Sequence, residues 1–179
     1  PLDQPVELAL EPGWNDLAVP FAFAVRWDDV MAASGDPAGV AGPFPYDGNS
    51  WAFPTPSERL EPWEGYAVKN SNATSVVLKV PARAAGAGGK AVAKELVEPE
   101  WVLQVRVEGA EGGDVHNYLG FRPDAQPAWD RWDLPEPPPA PGNSLRLYFP
   151  HAEWAEYPDL YTSDFRPGTE GQGWDFTIE

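Results

Sequence analysis

An all-β fold, arranged as two small sandwich-like domains with Pro/Gly-rich loops and at most one short helix, is predicted by three features of this chain. The 22 Pro and 17 Gly among 179 residues cut it into short runs without a collagen-like period, leaving no room for a long helix. Several of those runs alternate apolar and polar residues with a period of two, as a half-buried strand does. Hydrophobic residues make up 42% and aromatics 13%, including nine Trp, which is enough apolar surface for packed cores and too much for a disordered tail.

In the first half, Val6–Leu10 and the longer apolar run Trp14–Phe23 are the first two expected strands. Trp27–Ala33 suits the short helix, because Asp28 and Asp29 stand where the N-terminal end of the helix dipole favours negative charge. Further strands are expected around Ser50–Phe53, at Glu64–Lys69 and at Ser75–Val80, where Val76, Leu78 and Val80 alternate with Val77 and Lys79. Residues 81–99 read PARAAGAGGKAVAKELVEP, and their Ala/Gly-rich start lacks the side chains to bury a face. Residues 83–99 are therefore expected to link a domain at 1–82 to a second at 100–179. The second half offers strands at Trp101–Glu108, Tyr118–Arg122, Ser144–Phe149, Tyr161–Phe165 and Trp174–Ile178. Between them Trp129–Gly142 reads WDRWDLPEPPPAPG, whose five Pro fix φ and remove backbone donors, so it must run as a stiff, extended loop.

Two stretches of the first half, LEPGWNDLAVPFAFAVRWDDV at Leu10–Val30 and LEPWEGYAVKNSNATSVVLKVP at Leu60–Pro81, combine a GWN opening with a later PWxGYxVKN strand. The second half adds Trp101–Gln104, DVHNYLG at Asp114–Gly120, DRWDLPEP at Asp130–Pro137, LRLYFP, the Tyr161–Arg166 run and a final Trp174–Phe176. Together these resemble the accessory β-sandwich region of large secreted or cell-surface proteins from Bacteroidetes-like bacteria, usually found upstream of a C-terminal sorting tail. The resemblance implies a non-catalytic binding or spacer module at the cell surface or outside the cell, working beside neighbouring domains of the same polypeptide. It carries over no catalytic residue, and it implies a second domain that continues beyond the final Trp-x-Phe strand.

Charge narrows the partners. Asp and Glu number 28 against 12 Lys and Arg, a net charge of -16, which repels a phosphate backbone and argues against docking on anionic lipid. The longest charge-free apolar run, Leu17–Val25, is about half of the roughly 20 residues a membrane-spanning helix needs, so no membrane insertion is expected. Zero Cys removes thiolate chemistry and Cys-ligated metal, and the two His, His116 and His151, are too few for a zinc centre. No G-x-S-x-G elbow occurs. Catalysis is therefore not expected, although a small β-sandwich glycosidase would need only two carboxylates, of which Glu64, beside Trp63 and Tyr66, is the first candidate.

Two other chemistries fit the residues. Asp114, Asn117, Asp130 and Asp133 gather hard oxygen ligands in the loop-rich second half, without EF-hand spacing, and would suit a structural calcium ion as the one cofactor. Trp129 and Trp132 in the stiff loop, with Trp154, are the expected ligand-contact residues, because an exposed indole stacks on a sugar ring; a polysaccharide is then the partner. Trp14, Trp27, Trp51, Trp63, Trp101 and Trp174 lie in or beside strand-like runs and are expected to fill cores. Carbohydrate or matrix adhesion is the favoured role; the alternative is self-assembly into a surface layer or filament, which requires an open sheet edge.

Overall fold

The computed structural model describes residues 4–46, 51–52, 54, 58–86, 98–110, 112–139, 145–168 and 171–179. It is all-β: the described residues form several small sheets and one short helix, and no closed barrel is found among them. The chain divides into two compact units, one of residues 1–47 and 52–91 and the other of residues 48–51 and 92–179. Of the expected linker, residues 87–97 lie outside the described residues, while Ala85 still belongs to the first unit, its N–H donating to Ala24 O at 2.7 Å. The strand expected around Ser50–Phe53 lies largely outside the described residues.

The first unit contains β1 (Val6–Leu10), β2 (Gly13–Leu17), β3 (Val25–Arg26), α1 (Trp27–Ser34), β4 (Val40–Pro45), β5 (Arg59–Leu60), β6 (Tyr66–Asn70) and β7 (Val76–Val80). β1 pairs antiparallel with β7, setting Val6 against Val80, Leu8 against Leu78 and Leu10 against Val76. The period-two pattern puts all six side chains on one face, while Val77 and Lys79 face out. β6 lies between β2 and β4, which explains why Tyr66, Ala67, Val68 and Asn70 are all buried. β3 and β5 form a two-stranded sheet, and Val25, Val30, Leu60, Val68 and Leu78 are fully buried in the shared core. α1 packs on β7, where Ser34 Oγ accepts the Lys79 N–H at 2.8 Å, and Gly35 ends it at φ 83°, a left-handed conformation that suits glycine.

Asn70 supplies what the turn after β6 cannot supply from its own backbone. Its amide donates to Leu10 O and Thr74 O and accepts the Asn72 N–H, and the side chain is 1% exposed. Asn70→Ala leaves these groups unpaired and is expected to cost about 2 kcal/mol in urea denaturation. A loss no larger than that of an exposed substitution such as Val77→Ala would refute this role.

The second unit contains β8 (Trp101–Gly109), β9 (Gly112–Phe121), β10 (Leu147–His151), β11 (Asp159–Tyr161), β12 (Ser163–Arg166) and β13 (Thr177–Ile178). β8 and β9 pair antiparallel with a register shift between Val105 and Val107, and β12 adds to the other side of β9 in parallel. A second sheet runs β11-β10-β13. Leu119 from the first sheet meets Leu147, Phe149 and Tyr161 from the second, with Val105, Val107, Trp129, Trp154 and Trp174 packed around them.

Several expectations are corrected. The Trp14–Phe23 strand stops at Leu17, short of Pro20, and the Trp174–Ile178 strand is reduced to its last residues. Tyr161–Phe165 is split between β11 and β12. Trp63 is not a core residue: it is 92% exposed at the tip of a turn, with φ 71°. Trp101 is likewise 39% exposed, whereas Trp27 is buried as expected.

Candidate functional site

The segment expected to be a stiff Pro-rich loop is fastened to the second unit by short polar side chains. Asp130 Oδ1 accepts the Trp132 N–H and its Oδ2 accepts the Gln126 N–H, both at 2.7 Å, which bends the chain into an Asx turn. Asp133 Oδ2 accepts the Asp130 N–H at 2.8 Å and its Oδ1 accepts the Phe165 N–H of β12 at 3.0 Å. Ser163 Oγ accepts the Leu134 N–H and donates to Trp132 O, while Thr162 N–H donates to Leu134 O and Glu136 N–H to Leu160 O. The segment therefore lies alongside residues 160–163 as an irregular extra strand, and side-chain oxygens stand in where the prolines leave no ladder.

Trp129 and Trp132 come together at an open depression of about 400 Å³, lined also by Asp124, Gln126, Asp130, Arg131 and Glu156. The Arg122 guanidinium lies 3.5 Å from the Trp132 ring centre and that of Arg131 4.5 Å from it. Asp124 ties the two arginines together, accepting from Arg122 at 3.1 Å and Arg131 at 3.2 Å. Burial pushes the Asp124 carboxyl up, but the two guanidiniums outweigh it and hold the group below its ordinary value. Trp129 meets the Tyr157 ring edge-on at 4.4 Å and packs partly against the core. Trp154 is placed elsewhere: it stacks on His151 at 3.7 Å and leans on Tyr161.

Behind the segment lies a buried ionic network that sequence reasoning missed. Asp164, 1% exposed, accepts from His151 Nε2 at 3.0 Å and from Arg166 through both oxygens, at 2.9 and 2.6 Å. Burial raises the Asp164 carboxyl, yet His151 and Arg166 outweigh it and lower the pKa. Desolvation pulls His151 down, and Asp164 together with Glu153, 2.7 Å from Nδ1, raises it overall. Both ring nitrogens of His151 are thus taken by carboxylates, which makes it a clamp and leaves no nitrogen for a nucleophile. The alternation of Ser163, Asp164 and Phe165 reads as an ordinary strand, so nothing local marked Asp164 as the centre of a network.

The four expected calcium ligands stand in different surroundings. Asp114 Oδ2 accepts the Leu147 N–H at 2.9 Å, Asn117 is fully buried on β9 with Oδ1 accepting from Thr162 Oγ1, and Asp130 and Asp133 have all four oxygens engaged by backbone N–H groups. Among the described residues no group of three or more His, Cys, Asp or Glu side chains is placed to hold a metal ion. Glu136 instead faces a small cavity of about 50 Å³ with Asp114, His116, Arg146 and Trp51; among the described residues its buried Oε2 has no hydrogen-bond partner, and its Oε1 is 3.4 Å from Arg146 Nε. Trp51 reaches this part of the fold by donating its indole N–H to Pro138 O at 2.7 Å. Glu64 is exposed in the turn before β6, where it accepts from the Tyr66 hydroxyl at 3.1 Å.

No helix among the described residues is long and apolar enough to cross a membrane. No protein-family model, curated protein or solved structure matches this chain.

Proposed function

We propose that this chain is a non-catalytic, extracellular binding module of a secreted or cell-surface bacterial protein, and that its second unit holds a saccharide in the depression beside Trp129. The observation that carries the reading is the combination of an indole with a ring of mixed polar groups in an open hollow. A sugar ring offers an apolar C–H face to an indole and hydroxyls that both donate and accept; Gln126 and Arg131 supply donors, and Glu156 supplies an acceptor. Trp132, flanked by two guanidiniums, braces Arg131 at the rim and leaves the stacking to Trp129. Trp154, stacked against His151, supports the core beneath.

A glycosidase reading is weaker at this place. Burial raises the Asp130 pKa as a general acid requires, but both of its oxygens accept backbone N–H groups, and Asp124 is committed to two arginines.

Affinity electrophoresis against a panel of soluble polysaccharides tests the proposal. One polymer is expected to retard the chain, Trp129→Ala to weaken that retention at least about tenfold, and Trp63→Ala, at the exposed turn of the first unit, to leave it unchanged. A repeat with calcium and then with a chelator checks the ion expected from Asp114, Asn117, Asp130 and Asp133. Retardation by no polymer, or retention indifferent to Trp129, would overturn the reading.

A further inference from the structure

β8 stands at the end of its sheet, in the order β12-β9-β8, and among the described residues no strand pairs with its outer edge. Sheet edges in soluble proteins are usually blunted by charge, proline or a short strand. β8 is nine residues long and carries no charged side chain or proline from Trp101 to Val105. Trp101, Val102 and Leu103 are 39%, 45% and 52% exposed, three consecutive apolar residues on one edge. Such an edge invites another strand, and the sequence of β8 indicates which one.

We propose that two copies of this chain join antiparallel through β8, about a two-fold axis at Leu103, to make one continuous six-stranded sheet. In that register Leu103 faces Leu103 of the second copy, Trp101 faces Val105, and Val102 faces Gln104. Glu100 then faces Arg106, and the symmetry creates this opposite-charge pair twice. Trp101, Leu103 and Val105 share the face on which Val105 already packs against the core, so the contact extends that apolar face from copy to copy. The Glu100 N–H donates to Phe121 O at 2.8 Å, which holds residue 100 in line with the strand. Pro99 has no N–H and ends the pairing there, leaving Glu98 and Glu108 beyond the paired strip. An alternative register centred on Val107 also sets Arg106 against a glutamate, Glu108, but leaves the three exposed apolar residues uncovered. The net charge of -16 on each chain opposes association at long range, yet in salt of about 0.15 M repulsion beyond about 8 Å is largely screened while contact pairs persist.

Sedimentation velocity of the 179-residue chain, from low micromolar to several hundred micromolar at that ionic strength, is expected to show a monomer–dimer equilibrium. Glu100→Arg and Arg106→Glu each set like charges against one another twice and are expected to weaken the dimer about tenfold. Mixing the two variants is expected to restore it, because one chain then presents two cations where the other presents two anions. Leu103→Lys, which sets two ammonium groups at the axis, is expected to abolish it, with circular dichroism showing that the fold is intact. A chain that stays monomeric throughout, or a dimer that ignores both charge reversals, would overturn the proposal.

Discussion

Asp164→Asn is expected to destabilise the protein by about 3 kcal/mol, more than any exposed substitution in the same network. The buried carboxylate takes both Arg166 hydrogen bonds and the His151 Nε2 bond; an asparagine turns one acceptor into a donor that faces other donors and leaves the guanidinium without its counter-charge. The damage spreads because Arg166 also donates to Gly173 O at 2.7 Å and lies over Trp174, whose indole donates to Asp164 O at 3.1 Å. Glu153 is the internal control: it pairs with the other nitrogen of His151 but is 67% exposed, so Glu153→Gln is expected to cost less than about 1 kcal/mol. Urea denaturation of the two variants side by side decides the matter, and equal losses would show that burial of Asp164 contributes nothing. The lowered pKa of Asp164 fixes the sign of its pH dependence: its contribution is present above its ordinary value of 3.8 and is lost as pH falls through the folded value.

On the alkaline side two other carboxyls are expected to lower stability steadily between about pH 5 and pH 8. Burial, reinforced by the neighbouring Asp130 carboxylate, pushes Asp133 up to about 8 against the pull of its two N–H donors. Burial and the nearby Asp114 push Glu136 up to about 8, with Arg146 opposing. A raised carboxyl keeps in the folded state a proton that the unfolded chain has released, so its contribution is complete below the ordinary 3.8 or 4.5 and is lost as pH climbs to about 8. Each such proton gives a slope of about 1.4 kcal/mol per pH unit. His151, also raised, adds a loss of the same sign above its ordinary 6.5. With Asp164 acting only at the acid end, maximum stability is expected between about pH 4 and pH 5, below the usual range. Glu136→Gln is the discriminating variant, because the partnerless Oε2 has little to lose. It should flatten the slope and stabilise the protein at pH 8 by about 1 to 2 kcal/mol, and comparison with the parent chain cancels the general effect of net charge. Thermal unfolding from pH 4 to pH 8.5 measures both; stability that is level or rising from pH 5 to 8 would refute the buried, protonated carboxyls.

Period and punctuation made much of this fold legible. Val6–Leu10 and Ser75–Val80 alternate cleanly because each is half-buried against a core on one side, and the helix at Trp27 is marked by its two acids. β4 stayed hidden because Gly42 and Pro43 interrupt it where its register against β6 shifts, which erases the period. β9 begins well before the expected Tyr118, since GGDVHN is polar as a sequence although Asn117 and Asp114 are bound inside the unit by Thr162 and Leu147. The Trp129–Trp132 pair could be found from its place in the Pro-rich run. What could not be read was that Asp130 and Asp133 spend their oxygens on backbone donors, because carboxylates in a loop look the same in sequence whether they face an ion, water or an N–H. The Asp164 network was still less visible, being assembled from β10 and β12, whose spacing along the chain carries no local signature.

The parallel pairing of β12 with β9 also sets the order in which this protein can be made. Residues 163–166 complete a sheet begun by Tyr118–Phe121, so a ribosome adding roughly 5 to 20 residues each second leaves β9 waiting on the order of seconds for its partner. During that interval the strand that ends up central is itself an edge, with Leu119 uncovered on one side, and the 130–136 segment lacks the residues it is fastened to. Losing the chain beyond Thr162 would therefore remove the third strand of the sheet, the Phe165 N–H that anchors Asp133, and Asp164 itself, opening the unit at its middle rather than trimming its end.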